Sequence, residues 1–129
     1  MPILPTLLAA AFALCPDGPR NTCVVDGDTF WLQGEKVRIA DINAPETHSA
    51  QCPIEQQLGD RATRRLITLL NAGPFDLTTA GSRDRDRYGR LLRVVTRRGR
   101  SLGQELVTEG LAETWKGRRS SWCGDILPG

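Results

Sequence analysis

The alternation of apolar and polar positions divides the chain into three strands, a helix, two further strands and a second helix. Thr22 to Val25 is strand-prone, Asp26-Gly27 is a turn signal, and Asp28 to Leu32 resumes with Thr, Phe and Trp. Gln33-Gly34-Glu35 turns the chain again. Lys36 to Ile42 then reads as a third strand, with Val37, Ile39 and Ile42 as core candidates. Asn43 to Pro53 has two prolines and no periodicity, which predicts a loop. Pro53 suits the first turn of a helix, whose apolar stripe is Leu58, Ala62, Leu66, Leu69 and Leu70 and whose stop is Gly73-Pro74. Arg61, Arg64 and Arg65 fall on its solvated face. Phe75 to Thr79 predicts a fourth strand, Gly81 to Arg87 a polar connection, and Tyr88 to Thr96 a fifth strand turned by Arg97 to Arg100. Ser101 with Gln104 fits a capping box opening a helix with Leu102, Leu106, Val107 and Leu111 on its apolar side. From Lys116 onward the chain reads as irregular, anchored by Trp122-Cys123.

This order predicts a mainly β chain with helices (α+β), compatible with a five-stranded Greek-key barrel of the OB type carrying two or three helices. Other small α+β folds share the pattern. A length of 129 residues with 25% charged residues bounds the chain to one folded domain with one ordinary core, and excludes global disorder. Residues 1–14 are apolar and uncharged, too short to span a membrane, and Ala11-Phe12-Ala13 fits a small-x-small cleavage pattern. The expectation is therefore a signal peptide or apolar N-terminal segment over 1–14, and a domain over 20–129. Cys15, Cys23, Cys52 and Cys123 form an even set in a small chain, which points to two disulfides and a secreted or periplasmic protein. Three pairings are open. Cys15 with Cys23 and Cys52 with Cys123 is the one expected, the first tying the N-terminal arm and the second the C-terminal end. A zinc site competes, but no Cys-x-x-Cys or His-x-x-x-His spacing is present. His48, the only histidine, is expected on a loop near the site.

The net charge of +2 is modest, but its distribution is not. Arg83, Arg85, Arg87, Arg90, Arg93, Arg97, Arg98 and Arg100 crowd one stretch, opposed only by Asp84 and Asp86. A solubilising face is one reading. A phosphate-binding surface is the sharper one, because the guanidinium fork matches phosphate oxygens bidentately. Phosphodiester hydrolysis needs an activated water, neutralised phosphoryl oxygens and a stabilised leaving oxygen. Glu46 is the candidate general base, Arg38 and Arg90 the candidate clamps, and Asp28 the candidate ligand for a hard cation. Each has a plainer alternative: a turn for Asp26 and Asp28, a strand charge for Arg38, a loop carboxylate for Glu46. Trp31 and Trp122 read as packing residues.

Asp26-Gly27-Asp28-Thr29, Val37-Arg38-Ile39, Ala44-Pro45-Glu46-Thr47, Asp86-Arg87-Tyr88-Gly89-Arg90 and Glu105-Leu106-Val107-x-x-Gly110-Leu111-Ala112 stand in one order along the chain. In this order they resemble the thermonuclease, or staphylococcal-nuclease-like, family, over about Cys23 to Trp115. The resemblance implies an OB barrel and a Ca²⁺-dependent nuclease that cuts DNA and RNA to 3′-phosphate ends. It implies catalytic Arg38, Glu46 and Arg90, nucleic-acid contacts from Arg87, Tyr88 and Trp115, and metal ligands Asp28, Asn43 and the Ala44 backbone. A monomer without stable membrane association is expected. The family has an Asp where this chain has Asn43, so a weaker metal affinity is expected, with Asp26 or Asp41 as compensating carboxylates. The alternative function is an OB-fold module that binds nucleic acid without cutting it.

Overall fold

The structure, a computed structural model, describes residues 12–124. Its strands are β1 (Cys23–Asp26), β2 (Thr29–Leu32), β3 (Glu35–Ile39), β4 (Ile42–Asn43), β5 (Asp76–Thr79), β6 (Leu91–Arg97), β7 (Arg100–Ser101) and β8 (Glu113–Thr114). Its helices are α1 (Pro53–Asn71) and α2 (Leu102–Thr108). The main sheet runs β1-β2-β3-β6-β5, with β7 paired to β6. All of these pairs are antiparallel except β3 with β6, where Val37, Arg38 and Ile39 face Leu91, Leu92 and Arg93. A meander of three strands, a helical crossover and a parallel return is the path of a partly open Greek-key barrel of the OB type.

Two expected elements take a different form. The third strand is cut in two at Ala40-Asp41, and its second piece, β4, leaves the main sheet to pair with β8, a strand the apolar pattern did not reveal. The break has a side-chain cause. Arg38 Nη1 donates to the carbonyls of both Ile39 and Ile42, so the chain wraps around the guanidinium instead of continuing straight. Tyr88-Gly89-Arg90 lies in a turn, not in the fifth strand, because Asp86 draws in the backbone N–H groups of Tyr88 and Arg90, each at 2.9 Å.

The core lies between the sheet and the helices. Val24, Phe30, Val37, Ile39, Ile42, Ala62, Leu66, Val95 and Leu106 are fully excluded from solvent. Helix α1 supplies Ala62, Leu66, Leu69 and Leu70 to it, as its 3.6-residue stripe predicts. The Ser101 hydroxyl caps α2 by accepting from Gln104 N at 3.1 Å. The Gln104 side chain does not close the box; it turns to Asp41.

The N-terminal arm is part of this core. Phe12 is buried, and its ring meets those of Phe30 and Phe75 at 5.9 and 6.0 Å. Its backbone exchanges two hydrogen bonds with the Asn71 amide at the end of α1. Ala13 to Cys15 then pair with Val24. Cleavage after Ala13 would therefore remove a core aromatic; residues 1–11 of the expected signal segment lie outside the described residues. The disulfides are Cys15–Cys23 and Cys52–Cys123, as expected. Among the described residues, no helix is long and apolar enough to cross a membrane.

Candidate active site

The turn between β1 and β2, the link from β3 to β4, and the loop leading into α1 converge on one corner. Asp28 anchors it. Its carboxylate accepts from Ala44 N at 2.8 Å and from the Thr29 hydroxyl at 3.0 Å, and lies 3.6 Å from Arg38 Nη2. Asp28 and Arg38 are both buried, so this pair sets the relative position of strand and loop. Asp26 packs beside Asp28 and accepts from its N–H at 3.2 Å. Burial first, and then the neighbouring Asp28 charge with a smaller contribution from Glu46, pushes the Asp26 carboxyl up to about 8.

The Glu46 loop is held from below by α1. Glu55, on the first turn, is buried and accepts from Glu46 N at 3.0 Å and Gln51 N at 2.9 Å. At Gly59 the helix touches the loop backbone, and a Cβ there would sit 2.6 Å from the Glu46 carbonyl oxygen. A Cβ at Gly27 would likewise meet the Ala44 and Ala62 methyls, both at 2.8 Å. Neither Glu55 nor Gly59 was singled out from sequence. Their signal, an acid in a first helical turn and a glycine inside a helix, has commoner explanations.

Asn43 is buried in β4. Its Nδ2 donates to Glu113 Oε2 at 2.8 Å, across the β4–β8 register, while its Oδ1 is buried without a partner. Glu113 thus fixes the amide so that a free acceptor is left. Burial acts to raise the Glu113 carboxyl, but hydrogen bonds from Ser120 and Asn43 outweigh it and hold it below the ordinary value. Asp41 is not part of this corner. Its carboxylate accepts from the Ser101 hydroxyl at 2.7 Å and from the Gln104 amide at the start of α2. Asp26, not Asp41, is the carboxylate next to Asp28.

Two adjoining grooves open from the corner. The first, of about 420 Å³, is lined by Arg38, Arg83, Arg87, Arg90 and Arg119 with Tyr88 and Trp115. Asp86 organises its far wall. It pairs with Arg90 Nε at 2.7 Å, and the Arg90 and Arg87 guanidiniums lie over the Tyr88 ring at 5.4 and 5.0 Å. Arg38 lies 5.8 Å from the Trp115 ring centre. The second groove, of about 500 Å³, is lined by Asn43, Ala44 and Glu46 on one side and by Ser120, Ser121 and Trp122 on the other. Arg119 belongs to both and forms an ion pair with Glu46, which in turn holds the Arg119 guanidinium above its ordinary pKa.

The structure therefore gathers Arg38, Arg87, Tyr88, Arg90 and Trp115 in one groove and Asn43, Ala44 and Glu46 in the next, with Asp28 bridging them through Ala44 and Arg38. Arg119 is the addition that sequence reading missed, because nothing in Gly117-Arg118-Arg119-Ser120 distinguishes it from a solvated tail. Other arginines of the basic stretch have structural partners. Arg97 donates to the carbonyls of Leu69, Gly73 and Pro74, closing the end of α1, and Arg93 pairs with Asp84. His48 is exposed, with its ring Nδ1 3.0 Å from the Thr47 hydroxyl.

Among the described residues, no three His, Cys, Asp or Glu side chains form a ready cage for an ion. The oxygen donors of the corner nevertheless suit a hard cation: two adjacent carboxylates, Asp26 and Asp28, whose repulsion a cation would relieve, and a buried Asn43 Oδ1 without a partner.

Residues 36–124 match the family of staphylococcal nuclease homologues. The chain is also similar to proteins of Bacillus subtilis (strain 168). It is 36% identical over 102 residues to "Endonuclease YhcR", covering 71% of this chain and 8% of that protein. It is 37% identical over 92 residues to "Endonuclease YncB", covering 68% of this chain and 43% of that protein. An "Uncharacterized endonuclease" of Haemophilus influenzae is 32% identical over 106 residues, covering 75% of this chain and 54% of that protein. The chain thus spans well under two thirds of the length of these curated relatives.

Proposed function

The chain belongs to the family of staphylococcal nuclease homologues, and on that premise we propose that it is a nuclease hydrolysing phosphodiester bonds in DNA and RNA. The relatives that it matches are named endonucleases, which supports this reading. The observation that carries it is the meeting of the arginine-lined groove with Glu46. A polyanion can lie against several guanidiniums while a carboxylate borders the same phosphate position.

In this reading Glu46 is the general base that takes a proton from the attacking water. Its loop is fixed by Glu55, Gly59 and Cys52, so the carboxylate is positioned before substrate arrives. Arg38 and Arg90 hold the phosphoryl oxygens and become more favourable as charge builds in the transition state. The buried pairing of Arg38 to Asp28 and two carbonyls limits its motion, which suits a preorganised clamp. Arg87 and Tyr88 meet the backbone further along, and Trp115 offers a face for a base. Asp26, Asp28, Asn43 Oδ1 and the Ala44 carbonyl are the donors proposed for Ca²⁺. When bound there, the cation would add Lewis-acid charge at the phosphate. The products would be 3′-phosphates. Two disulfides support a secreted or periplasmic location.

Incubating the protein with single-stranded DNA, duplex DNA and RNA, in Ca²⁺ or in chelator, tests the reading beside Glu46→Gln. Cutting is expected only with the metal, and at least about a hundredfold slower in the variant. Binding without any cutting would instead support a non-catalytic nucleic-acid-binding module.

A further inference from the structure

We propose that the second groove is a nucleoside subsite: it receives the nucleoside on the opposite side of the scissile phosphodiester from the arginine-lined groove, with its base against the Trp122 indole. This rests on the nuclease reading. A strand cut in its interior must continue on both sides of the attacked phosphorus, and one groove serves only one side. The two grooves share Arg119 as a common wall, and Arg119 pairs with Glu46, so the boundary between them is where the chemistry is placed.

The composition of the second groove fits a nucleoside and not a further phosphate. Among the described residues that line it, Arg119 is the one cation, set against the carboxylates of Glu46 and Glu55. Ser49, Gln51, Ser120 and Ser121 offer neutral donors and acceptors for sugar and base edges, and Trp122 offers a half-buried aromatic face. Glu55 turns both its oxygens to the backbone N–H groups of Glu46 and Gln51 and so presents no free carboxylate oxygen to a ligand. The far wall is built and not merely adjacent. Ser120 N donates to Glu113 Oε2 at 3.1 Å, Arg119 pairs with Glu46, and Cys123 is bonded to Cys52 at the start of α1. The disulfide thus holds Trp122 against the groove from the next position in the chain.

The test uses oligonucleotides with a single cleavable phosphodiester, in which the nucleoside on one side or the other is replaced by an abasic residue. In the unmodified protein with Ca²⁺, kcat/KM is expected to fall about tenfold for an abasic residue on either side. In Trp122→Ala the penalty on one side should shrink to near unity while that on the other persists. The Cys52→Ser/Cys123→Ser double variant should give the same one-sided loss. Trp122→Phe carries the same comparison with a smaller one-sided penalty, should the alanine variant not fold. A 2-aminopurine placed on that side and bound in chelator should be quenched, and less so in the Trp122 variants. Equal penalties in the unmodified and variant proteins, or loss on both sides alike, overturn the subsite while leaving the nuclease intact. Failure of every substrate to show Glu46-dependent cleavage overturns both.

Discussion

At the residue scale, Asn43 shows how a neutral side chain is made into a directed acceptor. Its nitrogen is committed to Glu113, so its oxygen is left free, and the carboxyl beside Asp28 is that of Asp26, which holds its proton in the absence of a cation. Asp26 carries a cost that can be measured. In the folded chain without metal its carboxyl keeps its proton up to about 8, whereas in the unfolded chain it releases it near 3.8. Between these values the folded state binds more protons, so stability falls as pH rises through that window. In chelator, Asp26→Asn should flatten this fall and gain stability relative to the unmodified protein from pH 5 to pH 8 in denaturant melts. Parallel pH curves for the two proteins would contradict it. The acids Asp26 and Asp28 were legible in sequence because their turn is local. Glu55, Glu113 and Arg119 were not, because each acts on a residue brought near only by folding.

At the element scale, the loop from Ala44 to Cys52 has no regular structure and is nevertheless pinned at several points. The Ala44 N–H binds Asp28, Glu55 takes up two further N–H groups, Gly59 lets α1 approach, and Cys52 joins the loop to the tail. Among the described residues the tail has no helix or strand after β8, and the disulfide ties its end to Cys52. Cys52 and Cys123 are separated by 71 residues, so removing the bond in a Cys52→Ser/Cys123→Ser variant should lower stability by about 2–4 kcal/mol. Calorimetry of that variant is the check, and an unchanged melting temperature would show the tail to be held without it. The apolar pattern gave α1 and the meander correctly because both have one buried face. It joined β3 to β4 because Ile39 and Ile42 are both buried, and an apolar pattern carries no sign of a guanidinium around which the chain bends.

At the scale of the whole molecule, a net charge of +2 conceals a sorted surface. Some arginines of the basic stretch tie elements together, as Arg97 does at the end of α1, while Arg83, Arg87 and Arg90 line the groove. The two kinds should separate by experiment. For binding of single-stranded DNA in chelator, Arg87→Ala should reduce the slope of log K against log salt by about 0.7. Arg97→Ala should leave that slope alone and lower the melting temperature, because it frees carbonyls that the guanidinium satisfies. A shared change in slope would mean that the groove does not select among these arginines.

The sequence by itself determined the strand meander, the two helices, an even set of cysteines, and the local motifs around Asp28, Arg38, Glu46 and Arg90. These are short-range patterns, set by backbone preference and by side-chain spacing within one element. Only the tertiary structure decided that Phe12 belongs to the core, that β4 pairs with β8, and that Arg119 faces Glu46 where two grooves meet. Those contacts join residues far apart in the chain. They exist because core burial, strand pairing and a disulfide bring distant segments together, and no residue in those segments announces its partner.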